Sequence, residues 1–206
     1  MCGRYLIDDE TYSEMWKMLN SEFGIKNPDM GATQNSAKGE IFPTNIAPVI
    51  TSGGASADIS IQGCKWGFPH WKGAGVIINA RAETAYEKNI FRKPLLERRC
   101  VIPSGGFYEW SRVGGKKTKD KYLLRRPEES VLFMAGIQSI FRDGAGDEYS
   151  AFVILTTAAN ESVSPIHDRM PVILAADEHS RWIKDGAFAE HALRRRGPIL
   201  YSQIAD

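Results

Sequence analysis

Cysteine is scarce in this chain of 206 residues: only Cys2, Cys64 and Cys100 occur. Three scattered thiols cannot make a disulfide framework, so stability has to come from a packed core and a cytoplasmic location is expected. Long apolar runs are missing as well. None approaches the roughly 20 residues that span a bilayer. The opening MCGRYLIDDE holds one basic residue and no apolar centre, which predicts no signal peptide. His70, His179 and His191 have no metal-ligand spacing with any cysteine, which argues against zinc. There is no internal repeat, low-complexity tract or long linker. Net charge is small too, at +1, and taken alone it argues against a nucleic-acid partner.

What is present suffices for a core. The chain is 43% apolar, 10% aromatic and 25% charged, a composition that predicts one globular domain over residues 1–206. Charge is unevenly placed along it. Lys65–Arg126 holds 15 Lys and Arg against 5 Asp and Glu, a net of +10, leaving 11 basic and 20 acidic residues elsewhere, a net of −9. Such an asymmetry predicts a local anion-binding face, with scatter over all sides as the alternative.

Tyr12, Met15, Trp16, Leu19 and Phe23 recur at helical spacing, with Thr11 and Glu14 at capping-box distance and Gly24 as a stop. Short β-type runs follow: 47–51, 58–61, 65–68 and 76–80, then 100–102, 107–112, 121–125, 131–141, 149–156, 172–174 and 199–202. Helical candidates are 83–88, 91–99 with Pro94 near its start, 178–183 and 188–195. Residues 114–117 and 143–146 suit hairpin loops. Strands do not alternate with long helices, so the expectation is an α+β fold. Its mixed, largely antiparallel β-sheet would curl into a pseudo-barrel flanked by short helices.

Four segments carry chemistry. Cys2 becomes a 1,2-aminothiol if Met1 is removed; its amine and thiol are then both partly nucleophilic near neutrality. The amine condenses with aldehydes to a Schiff base, and the thiol can close on the imine carbon as a thiazolidine. Glu109 lies in the aromatic segment Gly106-Phe107-Tyr108-Glu109-Trp110, on the same strand face as Phe107. Burial there would raise its pKa and suit it to proton transfer, whereas a solvent-facing carboxylate is the bland alternative. His167-Asp168-Arg169-Met170-Pro171 offers an imidazole for proton transfer and a guanidinium for an anion. Asn79-Ala80-Arg81-Ala82-Glu83-Thr84 follows an apolar run, where an amide and a cation can face a ligand.

Together these segments resemble the SRAP family (SOS response-associated peptidase domain), whose members are abasic-site processing proteins. The likeness also runs through Cys2-Gly3-Arg4-Tyr5, Phe42-Pro43-Thr44, Ala47-Pro48-Val49, Trp66-Gly67, the 98–103 segment and Thr156-Thr157-Ala158-Ala159-Asn160. One departure is Gly105, where the family usually has an acidic residue. The resemblance implies that Cys2 forms a covalent thiazolidine crosslink with the aldehyde of an abasic site in single-stranded DNA. It implies acid/base work for Glu109, proton handling and sugar contact for His167, and orientation of Cys2 and the lesion by Asn79. Arg4, Arg81 and Arg169 would contact the backbone; Pro43 and Trp66 would offer flat surfaces to flanking bases. No metal or organic cofactor is expected, nor any membrane association, and a monomer is expected. Two other readings stay open: an N-terminal-nucleophile thiol peptidase or hydrolase using Cys2, His167 and Glu109, and a non-covalent single-strand binding module.

Overall fold

A computed structural model describes residues 2–25, 36–52, 59–70, 73, 75–111, 119–175 and 177–205. In chain order the elements are β1 (Arg4–Ile7), α1 (Asp9–Phe23), β2 (Gly39–Ile41), β3 (Ile46–Ser52), β4 (Ile59–Trp66), β5 (Phe68–Pro69), β6 (Val76–Ile77) and β7 (Asn79–Arg81). A 3₁₀ turn (Ala82–Thr84) then leads to α2 (Asn89–Glu97), β8 (Arg99–Ser104), β9 (Gly106–Ser111), β10 (Asp120–Arg125), β11 (Leu132–Arg142) and β12 (Glu148–Ala158). The chain ends with β13 (Arg169–Pro171), β14 (Ile173–Leu174), α3 (His179–Lys184), α4 (Gly186–Arg194) and β15 (Tyr201–Ile204).

Five strands close on themselves. β4 pairs with β3, β3 with β8, β8 with β11 and β11 with β12, all antiparallel. β12 returns to β4 through the parallel pairs Ala151–Lys65 and Phe152–Trp66, which completes the ring. β7 and β13 attach to β12, and β14 attaches to β11. A second sheet runs β15-β10-β9-β1-β2, antiparallel throughout. The expected mixed α+β fold with a curled, barrel-like sheet is therefore what the chain forms.

β8, the first half of β11 and the middle of β12 are buried on both faces, which explains why they read as apolar runs, whereas β4 alternates between buried and half-buried positions. Along β8 and β12, Val101, Val153 and Leu155 join one cluster with Met15, Leu19, Phe91, Leu95 and Trp182 from the helices. Their neighbours Cys100, Ile102, Phe152 and Ile154 join a second cluster with Tyr5, Ile41 and Phe107 from the five-stranded sheet. Arg99 ties the helical side down. Its buried guanidinium donates to the carbonyls of Leu95 (2.9 Å) and Leu96 (3.1 Å) at the end of α2, and of Trp182 (2.6 Å) and Ile183 (3.0 Å) in α3. A cation at two helix C-termini satisfies free carbonyls and meets the negative ends of both dipoles.

Local differences from the sequence expectation have local causes. The helix starts earlier, at Asp9, because Asp8 is its cap: Thr11 N–H donates to Asp8 Oδ1 (2.8 Å), and Thr11 Oγ1 accepts from the Asp8 N–H. The run at 58–61 and the first half of that at 65–68 fuse into β4, since Gly63 lies opposite Pro48 in register and interrupts only the pattern, while Phe68 opens β5 after a bend at Gly67. Residue 58 lies outside the described residues, as does the hairpin expected at 114–117. Residues 83–88 form no α-helix, only the 3₁₀ turn, because the chain reverses at 85–88 to enter α2. Pro94 then sits past the middle of α2.

Candidate active site

The site lies where the five-stranded sheet faces the barrel. β9 is the continuation of β8 through a sharp change of direction at Gly106, whose φ is +149°. A Cβ there would meet Leu124 O at 2.8 Å, so glycine lets β9 pack against β10. The preceding Gly105, the departure from the family pattern, is also accounted for. A Cβ at this position would stand 3.2 Å from Asp8 Oδ2 and 3.0 Å from Thr11 Oγ1, so the carboxylate of the helix cap occupies this corner.

From that bend, β9 alternates. Phe107 and Glu109 turn inward and both are buried, whereas Trp110 is half-buried on the other face. Burial pushes the Glu109 carboxyl above its usual range, and nearby His167 opposes part of that rise. His167 Nε2 stands 4.0 Å from Glu109 Oε2. The imidazole is held by a tight loop after β12. Asn160 accepts from Ser162 and donates to the carbonyls of Gly197 (3.0 Å) and Pro198 (2.7 Å), and the His167 N–H donates to Val163 O (3.0 Å). At the other ring nitrogen, Nδ1 accepts from the Arg169 N–H at 3.0 Å, with Asp168 Oδ1 2.9 Å away.

Cys2 enters from the strand end of β1. It is 1% exposed, and its thiol donates to Arg4 O at 3.5 Å. Burial pushes the thiol pKa well up, and the Glu109 charge adds to that shift. The backbone of Cys2 is gripped by Asn79, whose Nδ2 donates to Cys2 O at 2.9 Å. Asn79 Oδ1 is buried and accepts no hydrogen bond from a described residue. Parallel pairing of β7 with β12 fixes that amide, Asn79 lying opposite Ile154. Cys2, Asn79, Glu109 and His167 thus meet from four distant stretches. Cys64 and Cys100 are interior: burial raises both thiols, Cys64 to about 12.

The other expected site residues are placed less uniformly. Arg81 is exposed and lines a cavity of about 560 Å³ with Asn79, Thr84 and Lys88. Arg4 is partly exposed, paired with Glu40 at 2.9 Å and set over the rings of Phe42 (4.5 Å) and Trp110 (5.1 Å). Pro43 is half-exposed in a turn that puts Thr44 at φ +74° and ties back to Trp66, the Thr44 N–H donating to Trp66 O at 2.8 Å. Trp66 itself corrects the expectation of a base-stacking surface. It is 0% exposed, stacked on Phe152 and met edge-on by Tyr5, with Nε1 donating to Ile78 O at 3.1 Å. No face of the ring is left open, and it serves as packing beneath the Pro43 turn. Arg169 is 12% exposed at its side chain and bound bidentately by Glu83, at 2.6 and 2.8 Å.

The described cations of the basic stretch are found in several places. Arg99 is interior, Arg126 pairs with Glu129, Lys121 pairs with Glu40, and Arg98 lines a separate groove with Gln62 and Gln138. Among the described residues of the stretch, Arg81 and Lys88 line the cavity beside Asn79. Sequence reasoning missed Glu83 as the partner of Arg169 and Phe42 and Trp110 as the rings around Arg4; no local pattern signals contacts so far apart in the chain.

Among the described residues no group of three or more His, Cys, Asp or Glu is placed to hold a metal ion, and no helix is long and apolar enough to cross a membrane. The closed barrel, with a cysteine, an amide, a buried carboxylate and an imidazole converging at its junction with a second sheet, defines a class of thiol- and carboxylate-bearing α+β proteins. Within that class the chain belongs to the SOS response associated peptidase (SRAP) family, whose family model matches residues 1–198. It is 32% identical over 188 residues to the abasic site processing protein YoqW of Bacillus subtilis, covering 89% of this chain and 80% of that one. To the abasic site processing protein YoaM of the same organism it is 35% identical over 195 residues, with 89% and 79% covered. A crystal structure of a protein from Bacteroides thetaiotaomicron has the same fold, with a TM-score of 0.77 at 24% identity, covering all of this chain and 92% of that one.

Proposed function

We propose that this protein processes abasic sites by forming a covalent crosslink between Cys2 and the aldehyde of a ring-opened abasic sugar in single-stranded DNA. Removal of Met1 leaves Cys2 with a free α-amine beside its thiol. The amine adds to the aldehyde carbon to give a carbinolamine. Loss of water gives a Schiff base, and the thiol then adds across the C=N bond, its proton passing to nitrogen, to close a thiazolidine. The balance is aldehyde plus aminothiol going to thiazolidine plus one water, so no oxidant or cofactor is required.

Each step moves a proton, and the buried carboxyl of Glu109, held above its usual range, suits that work. His167, 4.0 Å from Glu109, is the second proton carrier and a contact to the opened sugar. Asn79 holds the Cys2 carbonyl and so fixes the backbone that carries the amine and the thiol. Arg81, with Arg4 and Arg169, contacts phosphates, and Pro43 meets a flanking base. A lesion without a base has nothing to unstack, which lowers the cost of presenting its sugar. The observation that carries this reading is the convergence of Cys2, Asn79, Glu109 and His167 on one buried junction. The abasic-site names of the relatives support it.

The test is a denaturing gel of protein mixed with a single-stranded oligonucleotide holding one abasic site. A covalent band that disappears for Cys2→Ala is the expected result. No band from the wild type rejects the crosslinking reading, and multiple turnovers without an adduct would favour the hydrolase.

A further inference from the structure

A second concave surface, built from none of the candidate site residues, lies between α1 and the start of α3. It is a groove of about 640 Å³. Five carboxylates line it: Glu14 and Glu22 from one face of α1, Glu128 and Glu129 before β11, and Asp177 before α3. Against them, among the described residues, the groove is lined by one lysine or arginine, Lys17, already paired with Glu14. Glu129 is paired with Arg126 and Glu22 with His179, whereas Glu128 and Asp177 have no ion-pair partner among the described residues. All five acids belong to the part of the chain that carries the −9 excess.

Charge is not the whole of it. The floor is apolar, formed by Met18, Val131 and Phe133. One wall holds His179, whose ring is fully buried and packed 4.3 Å from Phe133, centroid to centroid. Its Nδ1 lies 2.8 Å from Glu22 Oε1, and its Nε2 is buried with no hydrogen-bond partner among the described residues. In the neutral ring with its proton on Nδ1, directed to Glu22, Nε2 is a lone-pair acceptor. An unsatisfied buried acceptor is costly, and a ligand bearing an N–H donor would relieve it.

We propose that this groove docks a segment of a partner protein in which lysine or arginine side chains flank apolar ones. Acidic rims take the cations, the Met18–Val131–Phe133 floor takes the apolar side chains, and a donor on the segment reaches His179. The same charge repels a DNA backbone, so the strand and the partner segment would occupy different surfaces. A small polyamine would meet the rim and leave the floor uncovered, which favours the peptide as occupant.

The experiment uses the full chain and a fluorescein-labelled hexapeptide of alternating lysine and leucine, with spermidine as the competing cation. Fluorescence anisotropy should show saturable binding, weakened at least ten-fold by the double substitution Glu128→Lys and Asp177→Lys. Both side chains are exposed, so the variant should keep the wild-type melting temperature and circular dichroism. On peptide addition the side-chain NMR signals of His179 should move in the wild type. Absence of saturable binding, binding unchanged by charge reversal, or displacement of the peptide by spermidine at equal concentration would each overturn the proposal. None of these outcomes depends on crosslinking, which the double variant should retain.

Discussion

Two arginines of low exposure sit at opposite ends of the logic of this fold. Arg99 makes no ion pair among the described residues and gives four hydrogen bonds to backbone carbonyls of α2 and α3. Arg169 is held by the half-exposed carboxylate of Glu83 and by Thr156 O at 2.5 Å, and its Nε is buried without a hydrogen-bond partner among the described residues. The first is spent entirely on joining helices to the barrel. The second is incompletely satisfied and adjoins His167, whose Nδ1 its own amide holds. One region is built to be finished in the folded chain; the other keeps polar groups in reserve. Asn79 Oδ1 repeats the pattern on the site side.

The largest effect is expected on the finished side. Arg99→Met removes four hydrogen bonds, three of them buried, and should cost about 3–5 kcal/mol in urea unfolding, while crosslinking by the protein that remains folded is unchanged. Next comes the reactive side. Glu109→Gln should slow crosslinking roughly a hundred-fold in single-turnover gels without loss of stability at neutral pH.

The sign of the Glu109 contribution follows from its raised carboxyl. Protonated, it is compatible with burial; ionised, it is not. Folding is therefore favoured below its ordinary value of 4.5, and that contribution is lost as pH rises through the higher folded value. Urea titrations should show Glu109→Gln gaining on the wild type across that interval and keeping a constant advantage above it. A gap that shrinks with pH would mean that the carboxylate is stabilised as the anion. The smallest effect is expected for Glu83→Gln: about 0.5–1 kcal/mol of stability, because Glu83 is half-exposed. Releasing Arg169 from its counter-charge should tighten single-strand binding about two-fold in anisotropy titrations. Unchanged binding would keep Arg169 away from the strand.

Legibility in the sequence follows the same division. α1 was readable because one apolar face recurs at helical spacing, and Met15 and Leu19 are indeed fully buried. β8 and the buried parts of β11 and β12 were readable because burial on both faces leaves uninterrupted apolar runs. β1, β2 and β13 are three or four residues long and carry no periodicity strong enough to declare them. At the site, the inward turn of Glu109 was legible from its alternation with Phe107. The burial of Trp66 was not, since a Trp-Gly pair reads alike on a surface and under a turn. Nor was the Glu83–Arg169 pair, in which the partners are 86 residues apart and meet only because β7 and β13 both attach to β12.

The central claim is that the reserve on the site side serves aminothiol chemistry at Cys2. Its most direct test is the intact mass of the protein before and after reaction with an abasic-site oligonucleotide, followed by peptide mapping of the adduct. The prediction is a chain lacking Met1, and an adduct equal to the two masses less one water, mapped to Cys2. A chain that keeps Met1, or an adduct mapped to any other residue, would contradict it.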